Sequence, residues 1–231
     1  MTTFVPPKAV IQAFLAEAVY HTGEISSGGN PSLANWVLID RAYDEVSGYY
    51  AEAWGAQTGD SLHPYSEIMQ VSRGTAFTKA AVDLPEEGSL QAAALNSHGD
   101  TDRTNEMEAN LSIITTGGSS HADAGMNFLE KLKLDYAGVP IVEVGHSLGG
   151  FDAAAITNFA VGQGYSDVTG VAFQPLQLFS PAFRDDTAID TRLTNYIPAN
   201  EILTQNPLFL LAQTVSSGLG SAVGTQITLP T

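Results

Sequence analysis

The chain has 231 residues, 44% of them hydrophobic, which is enough for one sizeable core and most simply makes a single domain over residues 1–231. Its 25 acidic residues against 9 basic give a formal net charge of −16 with no Lys/Arg cluster, a balance that disfavours nucleic acid and anionic membranes and suits solubility. There is no cysteine, so no disulfide framework or thiolate metal site can form. The N-terminus lacks the basic start and long apolar run of a cleavable signal peptide, and the apolar tract Pro207–Ala212 is far too short to span a bilayer.

In chain order, apolar residues at 10, 11, 14, 15, 18 and 19 have helical spacing and predict a helix over Lys8–Tyr20. After a Gly/Ser/Asn-rich loop, Pro31 and Ser32 open a second predicted helix through Trp36, Leu38, Ile39 and Tyr43. Ser47–Trp54 and Glu67–Ser72 read as strands, separated by a turn-rich segment with Gly59-Asp60 and His63-Pro64. The second strand runs into Arg73-Gly74-Thr75, a hydroxyl residue in a glycine turn just past a strand end. Residues 76–110 are weakly patterned, with short helices at Ala76–Leu84 and Gln91–Leu95 and a loop at Gly99–Asp102, in a place where a lid would sit. A helix over His121–Leu134 follows, ending near Gly138. Further strands are expected at Val168–Phe173, Leu176–Phe179 and Arg192–Pro198. Strands alternating with helices predict an α/β fold with a mostly parallel central sheet flanked by helices.

The stretch with the most chemical content is Ile141–Gly150, an apolar strand turning through Gly145-His146-Ser147-Leu148-Gly149 into a helix that continues to about Val161. A Gly-x-Ser-x-Gly turn at that junction is the nucleophile elbow of serine hydrolases. The serine backbone is strained there, and a Cβ at either glycine would meet a neighbouring chain. His146 occupies the variable position of the pentapeptide, and its side chain is expected to point into the structure beneath the turn.

Three separated stretches, Val71–Thr75, Val144–Gly150 and Ala199–Leu203, resemble in order and spacing those of the class 3 lipase family, a branch of the α/β-hydrolase fold; Leu178–Pro181 is a looser fourth. The resemblance covers roughly residues 65–205 and implies an α/β-hydrolase-like fold and a serine carboxylic-ester hydrolase, a triacylglycerol lipase or esterase acting on lipid or other ester substrates. It implies Ser147 as nucleophile, Thr75 and the backbone N–H of Leu148 as oxyanion donors, and Glu201 as triad acid. The family usually has Asp at that last position; Asp186 and Asp190 are the alternative acids. No cofactor, metal or stable membrane insertion is expected.

A triad serine needs a base, and in this fold the chain order is Ser, acid, His. The five histidines are His21, His63, His98, His121 and His146, and none follows Ser147. The expectation is a lipase domain lacking its C-terminal end, with the histidine beyond Thr231. The alternatives are an upstream base, with His98 in its loop the best candidate, or a catalytically inactive lipase-like binding domain. His21 and His121 read as packed or helix-start residues. Export by a C-terminal signal is the expected localisation, with the cytoplasm as the alternative.

Overall fold

The computed structural model describes residues 8–21, 33, 35–74, 119–175, 187–198 and 224–229. Its centre is a seven-stranded sheet whose spatial order, β1 to β7, is also the chain order. The strands are β1 (Trp36–Asp44), β2 (Tyr49–Gln57), β3 (Tyr65–Ser72), β4 (Ile141–His146), β5 (Val168–Phe173), β6 (Leu193–Pro198) and β7 (Thr225–Leu229). The first three form an antiparallel meander, and β3 through β7 run parallel. The expected mostly parallel sheet is therefore present, with an antiparallel extension on one side. The helices are α1 (Lys8–Ala18), continued by a 3-10 turn Val19–His21, then α2 (Ser120–Asp135), α3 (Leu148–Gly162) and the short α4 (Thr187–Asp190).

The two sheet faces are covered differently. On one, Ile11, Leu15 and Val19 of the N-terminal helical segment pack with Tyr50, Trp54, Met69, Val71, Val142 and Val144. On the other, α2 and α3 cover Tyr49, Ala51, Ile68, Ile141 and Val168. Strand β4 is buried along nearly its whole length, which is why it reads as a continuous apolar run rather than an alternating one. Helix α3 is buried almost all round, and its run Ala153-Ala154-Ala155 lets it pack closely on the sheet beside α2.

The predicted helix through Trp36–Tyr43 is a strand. Its register shifts between Leu38 and Asp40, with Leu38 opposite Trp54 and Asp40 opposite Ala53, leaving Ile39 as the extra residue of a β-bulge. The bulge separates same-face residues by three positions: Leu38 and Arg41 share a face with Trp54 and Glu52, and Ile39 and Ala42 pack on the other. A three-residue repeat in sequence imitates a helix. The hairpin turn closes it, with Asp44 accepting from the Ser47 and Gly48 amides at 2.9 and 2.8 Å and Gly48 at φ 76°. The strand β7 escaped the sequence reading altogether. The expected short helices in 76–95 and the strand at 176–179 lie outside the described residues.

Each basic residue among those described is tied to a partner. Lys8 meets Glu67, Arg41 meets Glu52, Lys131 meets Asp40 and Asp135, and Lys133 meets Asp167. Arg73 lies over the Tyr50 ring, and Arg192 donates to the Tyr165 carbonyl.

Two buried carboxylates contrast. Glu52 accepts from Tyr50 Oη, Trp54 Nε1 and Arg41 Nε, at 2.9, 3.0 and 3.3 Å. Glu143, fully buried on the α2/α3 face of β4, has no hydrogen-bond partner on either oxygen among the described residues. Burial pushes its acid well above the usual carboxylate range. A carboxyl group that holds its proton more tightly folded than unfolded contributes stability that is complete below the ordinary carboxylate value. That contribution is lost as pH rises toward the folded value. Glu143→Gln, which cannot ionise, is therefore expected to raise the melting temperature at alkaline pH and to reduce its fall between about pH 5 and pH 9. Thermal melts of both proteins across that range check this; parallel curves would refute it.

Candidate active site

The elbow sits at the C-terminal edge of the parallel strands, where open α/β sheets place their ligands. Strand β4 ends at His146 and α3 begins at Leu148, leaving Ser147 alone to turn the chain. Its backbone is at φ 56° and ψ −119°. That is a conformation disfavoured for any side chain and costs on the order of 1–3 kcal/mol. The turn is fixed on both sides: Ser147 N–H donates to the Phe173 carbonyl at 3.0 Å and Phe151 N–H to the Ser147 carbonyl at 3.1 Å. Although Ser147 is the N-cap residue of α3, its side chain makes no capping hydrogen bond. The residue is half-buried.

The glycines have the steric role expected of them. A Cβ on Gly145 would overlap the Gly149 carbonyl, and one on Gly149 would overlap the carbonyl of Ser72 at the end of β3. One on Gly150 would stand 3.0 Å from Pro175 Cα. The first turn of α3 therefore lies directly on the backbone of the two strand ends beside it. Leu148, fully buried, is the first residue of that turn, and its N–H belongs to the donors that have no partner within a helix.

The turn after β3 meets the elbow as well. A Cβ on Gly74 would collide with Tyr20 Oη and with the His146 carbonyl. Thr75, the expected oxyanion residue, is the next residue and lies outside the described residues. Strand β6, parallel to β4, ends at Pro198, so the chain leaves the sheet at the same edge as Ser147. Glu201, three residues on, is also outside the described residues. Asp186 and His98 are outside them too. Asp190 precedes β6 at the opposite edge of the sheet and accepts from Gly224 N–H at 2.8 Å, which removes it from the elbow.

His146, His63 and His121 each have defined surroundings. His146 lies on the α1 face of the sheet, with Nδ1 3.1 Å from Tyr20 Oη and Nε2 3.0 Å from Gln174 Oε1. Both ring nitrogens are engaged, the inward, structural placement expected of it. Gln174 itself sits at φ 45°, the second non-glycine residue in the left-handed region. His63 lines a surface hollow of about 570 Å³ with Leu62, Tyr65 and Tyr136, at the edge of the sheet away from the elbow. His121 is in the first turn of α2, as expected, where Ser119 Oγ caps its N–H at 3.1 Å.

One feature of His121 was missed. Its Nδ1–H donates to Asp152 Oδ2 of α3 at 2.6 Å, with both side chains enclosed. Burial raises the Asp152 pKa, and the neighbouring His121 opposes that rise. Among the described residues, His121 Nε2 and Asp152 Oδ1 have no partner. An acid on Nδ1 with Nε2 left over is the bonding pattern of a triad's acid and base, but this Nε2 is sealed from solvent. The sequence did hold one signal. Asp152 is the lone charged residue of an otherwise uncharged helix, and a buried charge demands a partner.

Among the described residues no cluster of His, Asp or Glu is arranged to hold a metal ion, and no helix is long and apolar enough to cross a membrane. The mixed seven-stranded sheet with helices on both faces and a strand–serine–helix turn is α/β-hydrolase-like in architecture. No family model and no curated protein matches the chain. Among solved structures it is similar to a triacylglycerol lipase from Penicillium expansum, at 16% identity and a TM-score of 0.46, over 96% of this chain and 77% of that one.

The local geometry makes opposite demands at neighbouring positions. Gly145→Ala is expected to cost at least about 1–3 kcal/mol through overlap with the Gly149 carbonyl. Ser147→Gly, by relieving the strained backbone, is expected to stabilise by about 1 kcal/mol or more. Urea denaturation measures both, and a destabilised Ser147→Gly would show that the serine backbone is not under strain.

Proposed function

We propose that this chain is a serine carboxylic-ester hydrolase that works through an acyl-enzyme on Ser147, with acylglycerols or similar esters as substrates. The observation that carries the reading is the Ser147 turn. A non-glycine residue is held at φ 56° between β4 and α3, its hydroxyl unspent on capping, against glycines that nothing larger could replace. Strain of this kind persists only where surrounding contacts over-determine it, and it collects at reactive residues.

In this reading Ser147 Oγ attacks the ester carbonyl as its proton passes to a base. The N–H groups of Leu148 and Thr75 hold the tetrahedral oxyanion, the alcohol leaves with that proton, and water then attacks the acyl-serine to release the acid. Glu201 would orient the base. Neither His146 nor His121 serves as it: His146 has both nitrogens occupied and His121 is sealed. The sequence has no histidine after Ser147, and that observation sustains a second reading, a lipase-like domain that binds but does not turn over.

Hydrolysis of p-nitrophenyl esters of short and long acids separates the two. The first reading expects turnover that Ser147→Ala removes, by a factor of about 10³ or more where a base is in place and down to background where it is not. Equal rates in the two proteins would take Ser147 out of the chemistry and leave the binding reading.

A further inference from the structure

Helix α3 is packed through the buried side chains Leu148, Phe151 and Ile156, the last seated against Gly125 of α2. Its sequence, Leu148–Gly162, is built largely of glycine, alanine and other uncharged residues. Apolar packing of this kind is non-directional, whereas a hydrogen bond also fixes orientation. The first turn of α3 must be placed within fractions of an ångström, because that turn carries Leu148 and rests on the Ser72 carbonyl through Gly149. The one charged group on the helix is Asp152, fully buried and joined to His121 at 2.6 Å.

From His121 the contacts continue to the strand end that α3 rests on. The imidazole stands edge-on to the Tyr49 ring, centroids 5.0 Å apart and planes at 81°. Tyr49 Oη is 2.9 Å from Ser72 Oγ. Gln70 Nε2 donates to Tyr49 Oη at 3.1 Å and to the Gly125 carbonyl of α2 at 3.0 Å. A buried bridge thus runs from α3 through α2 and β2 to Ser72, the last residue before Arg73-Gly74. It spans the same two segments that touch directly at Gly149. Burying such a pair is a poor way to gain stability, and among the described residues Asp152 Oδ1 and His121 Nε2 find no partner that would improve it. What a directional bond does supply is position.

We infer that His121 and Asp152 are positioning residues. Their bond adds a directional restraint to the axial position of α3, and through Tyr49 and Ser72 it holds the Arg73-Gly74 turn in line with the elbow. The inference rests on the proposed role of Ser147 for its chemical consequence and on geometry alone for its structural one.

The double variant His121→Leu/Asp152→Leu replaces the pair with apolar groups, and Asp152→Asn weakens the bond by removing the charge at constant size. Leu132→Val, in the same core but outside the bridge, is the control. Amide hydrogen exchange reads position, and the reaction of Ser147 with an alkyl fluorophosphonate reads chemistry. The double variant is expected to keep or raise the melting temperature. Its amides at 147–150 and 72–74 should exchange about tenfold faster. Its maximal labelling rate should fall about tenfold, with the probe's half-saturating concentration and the one-per-chain end point unchanged. Asp152→Asn should change exchange and labelling in the same direction, so the test survives if the double variant fails to fold. Leu132→Val should lower stability without changing the labelling rate.

Unchanged exchange at those amides overturns the inference. So does faster exchange with a wild-type labelling rate, or a Leu132→Val variant slowed as much as the others. If the wild-type protein is never labelled while exchange still rises in the variants, the nucleophile reading fails and the positional bond stands.

Discussion

The structure depends on a contact between backbones. The first turn of α3 is pressed onto the end of β3, with Gly149 against the Ser72 carbonyl, and folds back over its own strand, with Gly145 against the Gly149 carbonyl. No side chain intervenes at either place. That closeness obliges Ser147 to reverse the chain in one residue and so to adopt its strained backbone. It also explains the strand order. The elbow strand β4 must lie between β3, whose end receives the helix, and β5, whose Phe173 carbonyl accepts the Ser147 amide. The chain reaches both neighbours through parallel crossovers that deliver their C-terminal ends to the same edge.

The two faces of the sheet meet the problem of buried polarity differently. On the α1 face Glu52 is supplied with three donors, and Arg73 rests on the Tyr50 ring. On the α2/α3 face Tyr49, Gln70, Ser72, His121 and Asp152 form a linked set, while Glu143 beside them bonds to none of them. Burial raises Glu143, Asp152 and Tyr49 alike, favouring the neutral form of each. Burial raises Glu52 and Tyr50 on the α1 face in the same direction. An apolar layer on the α2/α3 face would be simpler and at least as stable, so the polar groups are better understood as devices of geometry.

Much of the architecture was legible because the signals were local. The helix beginning at Lys8, the helix of residues 120–135 and the strands ending at Ser72, His146, Phe173 and Pro198 all follow from hydrophobic period and from breakers such as Gly138 and Gly164. The misreading of Trp36–Asp44 has an equally local cause. A single bulge at Ile39 turned a two-residue period into a three-residue one, and only the pairing partner β2 shows which is meant. Strand β7 lies at the sheet edge with the side chains of Thr225, Gln226, Ile227 and Thr228 exposed, so no buried face marked those residues.

The sequence by itself determined the elbow. A glycine, a serine and a glycine at fixed spacing between an apolar strand and a small-residue helix can satisfy sterics in one way, and every element of that statement is within ten residues. Only the tertiary structure decided what lies around it. It showed that both nitrogens of His146 are occupied by Tyr20 and Gln174, residues 126 and 28 positions away, and that Asp190 belongs to the far edge of the sheet. It also brought Asp152 to His121 across 31 residues. The reason is physical. Steric and periodic constraints act along the chain and leave their mark in it, whereas a buried charge is defined by what is packed against it, and that partner is chosen by the fold.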